Sequence, residues 1–198
     1  MTEKGYEIKE GTIVINRELT NLDIFLKDFI DILKKYFDYL VVSGFVSIST
    51  GRVRGTEDID VLVEVNDNAK FMRMFEELLE KDFWCYQADE PKEAYEYVKK
   101  LNNIRFARKN ELFPNIEFVP INVSKKAKYY EFTRPQKIRV DEFEFKIPPI
   151  EFEILYKEIV LAGKKDIEDA RHLRIFFSDI LNKEKFKEYE KIIREELK

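Results

Sequence analysis

The sequence predicts an α/β (α+β) protein in which a mixed sheet is flanked by helices and followed by a helical C-terminal part. As far as residue 148, short apolar strand-like runs alternate with amphipathic helical segments. From Pro148 onward the apolar spacing is helical, over roughly 150–162, 166–178 and 183–197. We therefore expect a sheet domain over 1–148 and a helical subdomain over 149–198 that packs on it.

The first part of the chain supplies alternating strands and helices. TIVIN (12–16) is a predicted strand after a turn at Gly11. A helix should begin after Thr20, because Asp23 three residues later approximates a capping box, and its apolar face continues to about Asp38. The pattern then predicts a strand at YLVV (39–42), a short helix at VSIS, a strand over 58–65, and a helix capped by Asn66-Asp67.

The next part continues the alternation. A helix is predicted over 91–101, with strands at NIRFAR (103–108) and NIEFVPI (115–121). DEFEFKI (141–147) alternates cleanly, so Phe143, Phe145 and Ile147 should face the core.

Composition limits the possible functions. The 198 residues are 44% hydrophobic, enough for one sizeable core, and the net charge of -4 argues against a surface that binds nucleic acid all over. Cys85 is the only cysteine, so the chain cannot build a disulfide framework or a cysteine metal site. No apolar run approaches the roughly 18 residues of a membrane span, and we expect a cytoplasmic protein without membrane contact. Abundant Lys and Glu, with only two Gln, are compatible with a thermophile.

Two acids lie one residue apart in an otherwise apolar strand. Asp58 and Asp60 share one face of it, about 6.6 Å apart along the strand, where unpaired carboxylates repel by roughly 2–3 kcal/mol. Because the neighbouring runs are apolar enough for a central strand, a cation between the acids is favoured, and oxygen ligands favour Mg²⁺ or Mn²⁺. The alternative is two solvated acids on an exposed face.

The residues before these acids strengthen the case for a phosphate site. YLVV turns at Ser43-Gly44, where a small residue lets backbone amides approach a phosphate, and a helix start favours anions. The arrangement resembles the nucleotidyltransferase superfamily that includes DNA polymerase β, whose signature is a hydrophobic strand, Gly-Gly or Gly-Ser, a spacer, and Asp-x-Asp on the next strand. Ser43 stands in this chain where the signature has its first glycine. GRVRGTEDID is similar to the minimal bacterial and archaeal members, including toxins of toxin–antitoxin pairs.

This resemblance implies further site residues. A third carboxylate is expected on a neighbouring strand, and Glu117 is the candidate, because Ile116 and Phe118 should face the core. The alternative for Glu117 is an ordinary exposed strand residue. Arg52 and Arg54 lie on the turn before the acids, where one would pair with a phosphate and the other hold a carboxylate.

The segment PPIEFEILYKEIVLAGKKDIEDARHL (148–173) resembles the helical pair that follows the sheet in the same families. Lys157 and Lys165 occupy positions that imply nucleotide binding, and a Lys-Asp-x-x-Asp element adds Asp166 and Asp169. Lys157 would reach a triphosphate as a mobile point charge, although a surface lysine is an equal alternative. Asp166 has the position of a helix cap.

One stretch has the composition of a weak nucleic-acid surface. SKKAKYYEFTRPQKIRV (124–140) has six basic residues against Glu131, interleaved with aromatic residues. The alternative is an ordinary solvated helix and strand. His172 and Cys85 are expected to be structural.

Taken with the resemblance, these residues predict a metal-dependent nucleotidyltransferase. Mg²⁺ or Mn²⁺ held by Asp58, Asp60 and Glu117 would bind a nucleoside triphosphate and activate an acceptor hydroxyl, with release of pyrophosphate. The acceptor would belong to RNA, a protein or a small molecule, and the resemblance adds an antitoxin protein as a partner. The alternative is a non-catalytic nucleotide-binding or protein-interaction module on the same fold.

Overall fold

A computed structural model of the protein describes residues 5–197, so residues 1–4 and 198 of the two predicted domain ranges lie outside it. The larger of its two sheets has the order β3-β4-β7-β6-β5. Its strands are β3 (Tyr39–Val42), β4 (Asp58–Val63), β5 (Phe83–Cys85), β6 (Ile104–Arg108) and β7 (Asn115–Pro120). Strands β4 and β7 are parallel and the other pairs are antiparallel.

The smaller sheet has the order β1-β2-β8-β9. Its strands are β1 (Tyr6–Lys9), β2 (Thr12–Ile15), β8 (Gln136–Val140) and β9 (Phe143–Ile147). Because β2 pairs in parallel with β8 while its other neighbour is antiparallel, this sheet is mixed too. The predicted mixed α/β architecture is confirmed, and the strands divide between two sheets where the pattern had indicated one.

Eight α-helices surround the sheets in residues 5–197. They are α1 (Asn21–Leu33), α2 (Gly44–Ser49), α3 (Asn68–Glu80), α4 (Pro91–Val98), α5 (Lys126–Phe132), α6 (Ile150–Tyr156), α7 (Lys164–Phe176) and α8 (Lys183–Glu196). Thr20 caps α1 in a complete capping box with Asp23, as the spacing predicted. The helix ends at Leu33, earlier than the predicted Asp38, because the chain turns there to enter β3. A π-helical turn, Lys157–Leu161, continues α6.

The two faces of the larger sheet have different roles. One face carries Ile59 and Val61 into the main core, with Phe29 and Phe71 from the helices α1 and α3. The other face places Leu62 in a smaller cluster that α5 covers. Since side chains alternate along a strand, Asp58 and Asp60 lie on this second face with Leu62.

The C-terminal helices pack against the sheets. Ala170 and Leu173 of α7 belong to the main core cluster, and Phe152 of α6 packs with Tyr189 of α8 and Ala127 of α5. The division at residue 148 remains a prediction. In the part of the chain that is described, no helix is both long and apolar enough to cross a membrane.

Candidate active site

The turn between β3 and α2 is tightly built. Ser43 has a φ of 64°, which is uncommon for a residue other than glycine. A Cβ at Gly44 would lie 2.8 Å from a guanidinium nitrogen of Arg54, so a larger residue there would require the Arg54 side chain to shift. The guanidinium of Arg54 therefore packs directly on the first residue of α2.

Two carboxylates from neighbouring strands meet beside this turn. Asp60 on β4 and Glu117 on β7 are direct partners in the strand register. Glu117 accepts a hydrogen bond of 2.9 Å from Asn103 and lies 3.5 Å from the guanidinium of Arg105. Asp58 precedes them on the same face, with its carboxylate 3.4 Å from the hydroxyl of Thr56. The strand register thus brings together the two acids that only the resemblance had associated.

The charge of Asp60 is poorly compensated. Burial first, and then the negative charges of Glu117 and Asp58, raise the pKa of Asp60 to about 6, against a hydrogen bond from Ser43 that acts the other way. The ionised pair is therefore costly without a cation.

The fit of a divalent cation can be judged from these donors. Within residues 5–197, no three His, Cys, Asp or Glu side chains are grouped so that they could hold a metal ion as they stand. The adjacent carboxylates of Asp60 and Glu117, with Asp58 on the same face, are nevertheless the hard oxygen donors that Mg²⁺ and Mn²⁺ prefer. The chemistry of these donors fits such an ion.

Asp60 and Glu117 open into a cavity of about 200 Å³ between the second face of the larger sheet and the helices α5 and α6. The apolar wall includes Val42, Leu62 and Val119. The polar lining consists of Ser43, Asp60, Asn103, Glu117, Lys128, Glu131, Glu153 and Tyr156. Four of these side chains are acidic and one is a lysine.

The two predicted arginines are directed at a buried acid. Asp169 of α7 is fully buried, and its carboxylate lies 2.6 Å from Nε of Arg52 and also accepts a hydrogen bond from Arg54. Arg52 further bonds Glu168 at 3.1 Å. Both arginines therefore bind the carboxylate of Asp169, whereas the sequence analysis expected one of them to pair with a phosphate. These ion pairs tie the loop that precedes Asp58 to α7.

The fold itself has known counterparts. A lincosamide antibiotic adenylyltransferase, LnuA, with lincomycin bound, matches with a TM-score of 0.53 and 14% identity, over 81% of this chain and 99% of LnuA. The chain has a nucleotidyltransferase fold. This confirms the fold that the Ser43-Gly44 turn and the Asp-x-Asp element had indicated.

Two further structures are similar to the chain at TM-scores below 0.5. ANT(2")-Ia in complex with adenylyl-2"-tobramycin has a TM-score of 0.49 and 12% identity, over 90% of this chain and 100% of that one. An antigenic nucleotidyltransferase-like protein from Paracoccidioides brasiliensis has a TM-score of 0.49 and 14% identity, over 82% and 78%. No protein-family model matches the chain, and no curated protein does.

Neither of the lysines that the sequence analysis assigned to nucleotide binding lines this cavity. Lys157 has no exposed surface, and its ammonium lies 3.2 Å from both Glu153 and Asp169. The expectation of a mobile, accessible charge is corrected for Lys157, because α7 packs over the turn that carries it. Lys165 is exposed near the start of α7 and does not line the cavity.

The basic stretch 124–140 does not form one continuous surface. Arg134 stacks 3.9 Å from the ring centre of Tyr130, and Lys137 pairs with Glu144 on the neighbouring strand at 3.0 Å. Lys128 faces the cavity of the nucleotidyltransferase fold instead of solvent. Sequence reasoning missed Lys128 as a residue of the site, although its spacing of one helical turn from Glu131 places both on one side of α5.

His172 and Cys85 have structural surroundings. His172 lies 2.8 Å from the hydroxyl of Thr50 and stacks on Phe176, and burial comes first among the causes that lower the pKa of its ring. Cys85 is a buried free cysteine.

Proposed function

We propose that the protein is a Mg²⁺- or Mn²⁺-dependent nucleotidyltransferase that transfers a nucleoside monophosphate from a nucleoside triphosphate to an acceptor hydroxyl. The observation that carries the proposal is the in-register pair of Asp60 and Glu117, which opens into a cavity beside the Ser43-Gly44 turn. The likeness to LnuA supports the fold, and the charge arrangement supports the chemistry.

The residues of the site have separate roles in this proposal. Asp58, Asp60 and Glu117 would hold the divalent ion, which when bound neutralises phosphate charge and favours loss of the proton of the acceptor hydroxyl. Ser43 lines the cavity and hydrogen-bonds to Asp60, so its backbone lies where a phosphate chain would pass. Asn103 and Arg105 orient Glu117. Arg54 supports the turn by packing on Gly44.

The transfer makes one bond and breaks one bond. The acceptor oxygen attacks the α-phosphorus, the bond to the oxygen that bridges to the β-phosphate breaks, and pyrophosphate leaves. Binding both reactants in one cavity would contribute by orienting the acceptor for in-line attack. A carboxylate of the site is the natural destination of the hydroxyl proton.

The acceptor classes differ in their support. RNA is less well supported as the acceptor, because the basic stretch 124–140 is divided among separate contacts. LnuA carries lincomycin, a small molecule, and we favour a small hydroxyl-bearing acceptor over RNA or a protein for this chain. An antitoxin partner remains a prediction of the family resemblance.

A transfer assay tests the proposal. The wild type and the Asp58→Asn, Asp60→Asn double variant would be incubated with Mg²⁺ and each α-labelled nucleoside triphosphate, and offered total RNA, total protein and a small-molecule extract. We expect label to enter one acceptor class with the wild type only. Equal labelling by the double variant would exclude catalysis by these acids. A wild type that neither labels an acceptor nor binds a triphosphate would favour the protein-interaction module.

A further inference from the structure

Lys128 extends from α5 into the cavity that Asp60 and Glu117 line. We propose that Lys128 binds the phosphate chain of the nucleoside triphosphate at this site. The assignment rests on the proposed function and adds a residue to it. It gives Lys128 the phosphate-binding role that the sequence had suggested for Lys157.

The position of Lys128 suits a ligand that enters the cavity. Its side chain is half-buried, and its ammonium lies 4.7 Å from the ring centre of Tyr156. A cation above an aromatic face is held in place but keeps its three N–H donors free to turn. The ammonium can therefore reorient toward an anion without leaving its support.

Lys128 is kept as an ammonium ion by its surroundings. Burial is the largest single influence and lowers the pKa of Lys128, but the charges of Glu131, Tyr156, Glu153 and Asp60 together outweigh it, so that the pKa is raised. The cavity thus contains a fixed positive charge at neutral pH.

Two of the acids that line the cavity with Lys128 have other partners, so Lys128 is not needed to balance those two charges. Glu153 is paired with the buried Lys157 at 3.2 Å, and Glu117 is held by Asn103 and Arg105. A divalent ion on Asp60 and Glu117 would weaken their attraction for Lys128 and repel its ammonium. A triphosphate bound to the same ion would again give the Lys128 ammonium a negatively charged partner, since a lysine is a compact point charge well suited to phosphate.

The other predicted lysines are less suitable. Lys157 has no exposed surface, and Lys165 does not line the cavity. Lys126, on the same helix as Lys128, is exposed and also does not line the cavity, which makes it a matched control.

The test compares Lys128→Met with Lys126→Met by titration calorimetry. The probes are Mg²⁺ alone, and then inorganic tripolyphosphate and each of the four ribonucleoside triphosphates at saturating Mg²⁺. In Lys128→Met, the affinities for tripolyphosphate and for the bound nucleotide should fall by the same factor, about ten- to a hundredfold. Lys126→Met should match the wild type, and Lys128→Arg should recover part of the loss.

For Mg²⁺ alone, the expected change in affinity differs in sign from the change expected for tripolyphosphate. Removing a positive charge near Asp60 and Glu117 should leave the affinity for Mg²⁺ unchanged or higher, whereas general damage to the site would lower it. If Lys128→Met does not fold, Lys128→Gln carries the same comparison.

Three results would overturn the assignment. Loss of Mg²⁺ and tripolyphosphate binding together would show a structural role for Lys128. An unchanged tripolyphosphate affinity would remove Lys128 from the phosphate site while leaving the proposed function intact. A wild-type protein that binds neither tripolyphosphate nor any triphosphate with Mg²⁺ would refute the proposed function itself.

Discussion

Replacing Asp60 by Asn should stabilise the metal-free protein at neutral pH. The pKa of Asp60 is raised from 3.8 to about 6, first by burial and then by the charges of Glu117 and Asp58. The folded protein therefore binds this proton more tightly than the unfolded chain, and stability is lost as the pH rises from about 4 to about 6. A shift of about 2 pKa units corresponds to about 3 kcal/mol at pH 7 and above.

Asn avoids this loss because it carries no charge, and its carbonyl can still accept the hydrogen bond from Ser43. The stability gain should therefore be about 3 kcal/mol at pH 7.5, roughly 6 to 12 °C in melting temperature, and close to zero at pH 4. Saturating Mg²⁺ should reverse the order of stability, because it binds the folded wild type better than the variant.

The assay is urea unfolding in the presence of a chelator, from pH 4 to pH 8. Asp89→Asn is the control, since Asp89 is exposed and the substitution is chemically the same. A gain that does not change with pH, or a variant less stable than the wild type at pH 7.5, would refute the reasoning that Asp60 is a crowded, uncompensated acid.

Three further predictions concern the surroundings of the acids. Asp169→Asn should lower the free energy of unfolding by about 3–5 kcal/mol, because it leaves the buried Lys157 and the two arginines without their shared carboxylate. A loss under 1 kcal/mol in urea unfolding would contradict the role of this cluster. Gly44→Ala should destabilise the protein by about 1–3 kcal/mol and weaken triphosphate binding, because its Cβ would lie 2.8 Å from the guanidinium of Arg54. Unchanged stability and binding would show that Arg54 moves freely. Glu117→Gln should retain the cooperative unfolding of the wild type but lose nucleotidyl transfer, and normal transfer rates would remove Glu117 from the active site.

Local patterns predicted the parts of the fold that depend on short-range chemistry. The capping box placed the start of α1 at Thr20, and strict alternation placed Phe143, Phe145 and Ile147 in the core. The division into two sheets was not predictable in this way, because it depends on the pairing of β2 with β8, far apart in the chain. Strand β5 has three residues, too few to show a period.

The same limit applies to the candidate site. A period of two is enough to put Asp58 and Asp60 on one face of a strand. The position of Glu117 beside Asp60 depends on the register between β4 and β7, and the sequence indicated that neighbourhood only through a family resemblance. The burial of Lys157 and the position of Lys128 depend on how α5, α6 and α7 pack, and that packing cannot be predicted from local sequence patterns.

The most direct test of the account is thermal unfolding with and without Mg²⁺ and each of the four ribonucleoside triphosphates, for the wild type and Asp60→Ala. At about a hundred times its dissociation constant, a bound triphosphate should add roughly 2.7 kcal/mol to the wild type, only when Mg²⁺ is present. We expect Asp60→Ala to lose this stabilisation. Equal stabilisation of Asp60→Ala, or none of the wild type by any triphosphate, would contradict a metal-dependent nucleotide site at Asp60.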